Sequence, residues 1–148
     1  MLEKTPIYGM LKRATLLNES VAWFEAFNKT DEIKRLIIEL IQQDQLTEKG
    51  VDANDNVIGV YSSFTQSKNP KKVAGTNYTL NDTGDLYASM FVEAFRDYVQ
   101  ISADVLKFED QKWYTDEILG LNDSSMSVLI NNIKPIYISY VKRVLYNS

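Results

Sequence analysis

Histidine and cysteine are both missing from this 148-residue chain. Without histidine there is no Ser-His or Cys-His nucleophile pair and no imidazole metal ligand. Nor is there any side chain whose unperturbed pKa lies near neutrality. Without cysteine there is no disulfide, thiol nucleophile or Cys-based zinc site. A basic excess is missing too: the formal net charge is -4, which argues against a general nucleic-acid binder. Long apolar runs are absent; Leu36-Ile37-Ile38 is far too short to span a bilayer. The charged start Met1-Leu2-Glu3-Lys4 does not resemble a signal peptide. These absences predict a soluble protein made in a reducing, intracellular setting and leave only carboxylate, lysine, tyrosine or Mg²⁺-type chemistry.

The length suits one domain spanning 1–148, with a composition ordinary for a globular protein. Pro6 and Gly9 break the first 17 residues, which are expected to form an arm. A helix is predicted from Glu19, capped by Asn18, with Val21, Trp23, Phe24 and Phe27 inward. The strongest pattern follows. Thr30 or Asp31 caps a helix whose apolar stripe is Ile33, Leu36, Ile37, Leu40 and Ile41, stopped by Lys49-Gly50. Residues 51–79 are expected to be a long polar connection, with a short strand at Val57–Tyr61 and a mobile loop at Gln66–Gly75. Gly59 hints at a close backbone approach.

Asp82 or Thr83 is expected to cap a helical turn from Gly84 to Ser89. A β-hairpin follows, from Met90 to Phe95 and Tyr98 to Val105, turning at Arg96-Asp97. Its second strand is the clearer, because Val99, Ile101, Ala103 and Val105 alternate with Gln100, Ser102 and Asp104. One helical turn ends at Gly120. Asn122 or Asp123 caps a last helix with Met126, Leu129, Ile130 and Ile133 on its first apolar face. Ile136, Tyr137, Tyr140, Val141, Val144 and Leu145 continue that face, and Pro135 should break or kink it. Lys142 and Arg143 suit its C-terminal dipole. The fold class is therefore α+β: an antiparallel hairpin packed against a helix of the N-terminal half and a C-terminal helix.

Candidate chemistry is sparse, and no cofactor motif is present. Asp52-x-Asn54-x-Asn56 matches the opening of an EF-hand loop, but Val57 and Ser63 stand where Gly and Glu are required; it reads as a polar turn. Asp82 and Asp85, with Glu93, supply carboxylates for a glycosidase-like hydrolase. Capping oxygens around a tight Gly84 turn account for the first two. Lys68, Lys71 and Lys72 form a basic loop that could touch phosphates, although no specific nucleic-acid partner is expected. Tyr137, Tyr140 and Tyr146 on the last helix, with Phe91 and Phe95 on the hairpin, are the candidate interface aromatics. Gly50, Asp82, Thr83 and Gly84 are the candidate structural turn residues.

The order of signals resembles a known class. Gln45-Leu46-x-x-x-Gly50, Asp52, Ile58-Gly59-x-Tyr61-Ser62 and Leu80-x-Asp82-Thr83-Gly84-Asp85-Leu86-Tyr87-x-Ser89 are similar to small virion-morphogenesis proteins of tailed bacteriophages, the neck and tail-completion class. The chain has Lys134-Pro135-Ile136 where the commoner pattern of that class has Arg-Pro-Phe. The resemblance implies a non-enzymatic head–tail joining component, assembled in the host bacterial cytoplasm and placed in the virion. Its copies would form a ring between capsid portal and tail, contacting portal, adaptor or tail proteins. A soluble adaptor binding one host protein is the remaining alternative.

Overall fold

The computed structural model describes residues 24–25, 27–28, 31–95 and 98–146. The expected arm, the Asn18 cap, Val21, Trp23, Thr30 and the Arg96-Asp97 turn lie outside the described residues. Residues 24–25 and 27–28 are helical, with Phe27 buried and Phe24 exposed.

Helix α1 (Glu32–Glu39) buries Ile33 and Ile37, one turn apart. Asp31 opens it through its backbone carbonyl, which accepts from the Arg35 N–H at 2.9 Å. The Asp31 carboxylate makes no capping bond, so the expected side-chain cap is not formed there. From Leu40 to Lys49 the chain continues as a π-helix, an uncommon wide winding closed by i→i+5 bonds. The widening solves a packing problem. In an α-helix Leu46 would lie roughly 100° from Gln45 around the axis. Here Ile41, Gln45 and Leu46 all reach 0% exposure.

The helix stops at Gly50 as expected, in the left-handed region at φ 62°. The Val51 N–H reaches back to the Gln45 carbonyl and the Gly50 N–H to that of Leu46. A Cβ at Gly50 would also sit 2.6 Å from the Tyr78 carbonyl oxygen. Conformation and space both demand glycine there.

Asp52 is buried, and its Oδ1 accepts the N–H groups of Asn54 and Asn56 at 2.9 and 3.0 Å. That carboxylate oxygen organises its own turn. The expected strand at Val57–Tyr61 is reduced to two isolated bridges, Val51 with Val57 and Val60 with Asn77. The tight turn, with Asp55 at φ 61°, folds the chain back before a ladder can extend.

Helix α2 (Ser63–Lys68) and helix α3 (Asp85–Ser89) are short. Strands β1 (Phe91–Ala94) and β2 (Val99–Ser102) form the antiparallel hairpin, with Val92 opposite Ile101 and Ala94 opposite Val99 facing inward. Phe91 and Glu93 point outward. Met90 is not in the strand but caps α3 and is buried. The hairpin is anchored through Ser89, whose hydroxyl donates to the Leu86 carbonyl and accepts the Asp104 N–H. A 3₁₀ turn (Asp116–Leu119) ends at Gly120, as expected.

Helix α4 (Asp123–Tyr146) is continuous. Asn122 caps it, its Oδ1 accepting the Ser125 N–H at 2.8 Å. Pro135 lies inside the helix without ending it, so of the expected break or kink the break does not occur. Asn131, whose carbonyl Pro135 cannot serve, is an exposed residue, while Ile133 stays buried in the core cluster. The buried stripe of α4 is narrower than expected: Ser125, Leu129, Ile133 and Tyr140. Met126 and Ile130 are each 42% exposed.

The fold is α+β. Helix α1 is its centre and packs against both β1 and α4. Polar contacts tie the remaining segments to that core. The Gln45 amide donates to the Gly120 carbonyl at 2.8 Å and accepts the Asn122 N–H at 2.9 Å. The Asn122 amide in turn donates to Asp55 Oδ1 at 2.7 Å. Among the described residues no buried side-chain polar atom lacks a partner, which is the condition for such a network to be stabilising. No helix of the described residues is long and apolar enough to cross a membrane.

Candidate functional site

The expected mobile loop at Gln66–Gly75 is an ordered excursion. Ser62 caps α2, accepting the Thr65 N–H at 3.1 Å. The chain turns at Asn69-Pro70, where Asn69 Oδ1 accepts the Lys71 N–H and the Asn69 carbonyl accepts that of Lys72. Gln66 Oε1 then takes the Ala74 N–H at 2.9 Å. At the base the Tyr61 N–H bonds the Thr76 carbonyl, and the Gly75 N–H bonds that of Tyr61. Polar residues placed at turn and cap positions supply the local partners that a structureless loop would lack.

This excursion returns Lys72 to the body of the protein. Its Nζ lies 2.9 Å from Asp82 Oδ1 and 5.8 Å from the centre of the Tyr61 ring. The hydrogen bond from Lys72, then its charge, holds the Asp82 carboxyl below its ordinary range. Asp82 therefore does not cap α3. Gly84 takes that position at φ 83°, and Thr83 accepts the Asp85 N–H at 3.4 Å. The Thr83 hydroxyl donates to Asp85 Oδ2.

Behind Tyr61 runs a chain of rings. Tyr78 lies 4.8 Å from Tyr61, Trp113 5.7 Å from Tyr78, and Phe108 5.6 Å from Trp113. With Leu80 they line a cleft of about 210 Å³. A second cleft of about 350 Å³ opens on the other side of the same ion pair, walled by Asn69, Asn77, Asn81 and Thr79. Tyr61, Lys72, Asn81 and Asp82 line both. Leu80, in the wall of the aromatic cleft, has φ 57°, a conformation that costs a non-glycine residue on the order of 1–3 kcal/mol and gathers at functional sites. The Thr79 carbonyl beside it is fixed by the Tyr87 hydroxyl at 2.6 Å.

The other candidates are dispersed. Lys68 stacks over the exposed Phe64 ring, and Lys71 lines the polar cleft. Phe91 is exposed on the hairpin, and Phe95 stacks on Tyr98 with ring centres 4.8 Å apart. Tyr137 and Tyr146 are exposed, whereas Tyr140 is buried within the chain. Tyr140 therefore offers little surface to a partner. Arg143 pairs with Glu25.

The carboxylates do not converge. Asp82 is held by Lys72, Asp85 by Thr83 with Lys107 at 3.8 Å, and Glu93 lies on the outer face of β1. A glycosidase acid needs a raised pKa, opposite to the direction at Asp82. Among the described residues no group of three or more Asp or Glu is placed to hold a metal.

Composition alone did not expose the aromatic cleft, because its walls come from residues 61, 78–80 and 108–113. The signal available was four aromatics, Tyr61, Tyr78, Phe108 and Trp113, in segments outside the main helices and the hairpin. Comparison with protein-family models, curated proteins and solved structures returns no match for this chain.

Proposed function

We propose that this protein is a structural component of a tailed-phage virion, a neck or tail-completion protein that joins head to tail as a ring of copies. The observation that carries the reading is apolar surface left uncovered on two faces. On the hairpin, Phe91, Phe95 and Tyr98 are 48%, 38% and 59% exposed. On α4, Met126, Ile130, Ile138 and Tyr146 are 42%, 42%, 50% and 65% exposed. Apolar side chains left exposed in this number offer surface on which proteins join.

Two different faces suit a head-to-tail contact, in which one patch meets another and rotation closes the ring. The sequence resemblance supports the same reading, since Gly84, Leu86 and Ser89 of its motif shape the turn that carries the hairpin. The expected partners are further copies, with portal, adaptor or tail proteins above and below.

Native mass spectrometry of the purified chain, together with peptide counting in purified particles, tests the proposal. A multimer in solution and several copies per particle are expected. Phe91→Asp and Met126→Asp should each dissociate the multimer while leaving the circular-dichroism spectrum unchanged. A monomer absent from particles that retain their other neck proteins overturns the assignment.

A further inference from the structure

We propose that the two clefts meeting at Lys72 and Asp82 form a binding site for a neutral saccharide. This is independent of the role in assembly. The first argument is the pairing of wall chemistries. One cleft is lined by the aromatic residues Tyr61, Tyr78 and Trp113, and aromatic rings pack against the C–H groups of a pyranose. The other presents carboxamides and hydroxyls, Asn69, Asn77, Asn81 and Thr79, which can both donate to and accept from sugar hydroxyls. Among the described residues the Asn81 carboxamide has no hydrogen-bond partner, and it borders both clefts.

The second argument is charge. Lys71 and Lys72 in the polar cleft are matched by Glu48 and Asp82, and in the aromatic cleft Lys72 is matched by Asp82. A phosphate-bearing ligand calls for a cationic excess, and neither cleft has one. The Lys72–Asp82 pair instead sets an ammonium beside a carboxylate at 2.9 Å. Vicinal hydroxyls match such a pair, one accepting and one donating, in charge-assisted bonds.

The third argument is shape. The polar cleft of about 350 Å³ falls within the range of small-molecule sites. The ring pocket adjoins it through shared residues, so one sugar ring fits the aromatic wall while the next lies among the amides. Leu80, at φ 57°, lines the aromatic cleft next to Asn81, which borders both clefts.

The test is a glycan array probed with the full, fluorescently labelled chain, followed by calorimetric titration with cello-, malto- and chito-oligosaccharides. Saturable binding of a neutral oligosaccharide is expected. Its affinity should change little between about 50 and about 500 mM salt, because no counterions are released. Asn81→Ala and Asp82→Asn should weaken binding at least about tenfold, the effect of losing one or two hydrogen bonds. Tyr61→Ala should abolish it. Asn81 is exposed, so that variant tests the site without threatening the fold, and Phe91→Ala should bind as the parent does. The proposal is overturned if no neutral glycan binds, if only acidic glycans or single-stranded oligonucleotides bind with steep salt dependence, or if Asn81→Ala leaves affinity unchanged.

Discussion

Replacing Gln45 by leucine tests the packing logic most directly. Gln45 is fully buried, and its amide is the sole bridge from the π-helix to the Gly120 carbonyl and the Asn122 N–H among the described contacts. Leucine has nearly the same bulk but makes neither bond. Both backbone groups would then be stranded in a place water does not reach, at about 1–3 kcal/mol each. The apolar gain from leucine offsets about a quarter of that, leaving a net loss on the order of 3 kcal/mol. Against a total stability of roughly 5–15 kcal/mol, the melting temperature should drop by about 10 °C.

Urea unfolding followed by circular dichroism gives the number. A companion variant, Gln45→Glu, isolates the donor: glutamate keeps the acceptor for Asn122 but turns a carboxylate toward the Gly120 carbonyl. Burial and that carbonyl raise its pKa above the unfolded value, so the variant regains stability as pH falls and loses it as pH rises. A leucine variant within about 1 kcal/mol of the parent would refute the claim that this amide holds the segments together.

Other expectations follow from the same structure. Ile37→Asp should unfold the domain, because Ile37 is 1% exposed at the centre of the core and an unpaired buried charge costs several kcal/mol; loss of the far-UV helical signal at 25 °C reads it. Gly59→Ala would place a Cβ 2.3 Å from the Tyr78 ring, which neighbouring rings hold in place, so a loss of about 1–3 kcal/mol in chemical denaturation is expected. Burial raises the half-buried Tyr87 phenol above its ordinary value, and its hydroxyl donates to Thr79. Its stabilising contribution is therefore complete below about pH 10 and is lost as pH climbs through the raised folded value. Urea midpoints measured from pH 8 to 11 should fall less steeply for Tyr87→Phe than for the parent; Tyr114, also raised by burial, contributes to the slope that remains.

Much of the frame was legible in the sequence. The spacing of Ile33 and Ile37 marks α1, Gly50 marks its end, and the alternation of Val99 and Ile101 marks the second strand. Gly120 and Asn122 punctuate the last turn and the last helix. Other features depend on tertiary partners that spacing does not encode. The π-helical winding of Leu40–Lys49, which buries Gln45 beside Leu46, leaves no mark in an α-helical periodicity. Met126 and Ile130 look like core on a helical wheel, yet the core stripe of α4 is filled by Leu129, Ile133 and Tyr140. The excursion after Tyr61 reads as disorder because its order comes from side chains bonding nearby backbone. The paired clefts were hidden because three remote segments build them.

The clasp between Tyr61 and residues 75–76 has a consequence for how this chain can change over generations. Everything from Ser62 to Ala74 hangs from a closed base, so its length and content can be exchanged while the helices and hairpin beneath keep their geometry. Lys72, Asn69 and Lys71 travel with that cassette, whereas Asp82, Tyr78 and Trp113 stay behind in the frame. Three of the twelve residues lining the polar cleft and two of the nine lining the aromatic one can thus be rewritten by grafting one surface segment, leaving recognition free to diversify while the fold stays fixed.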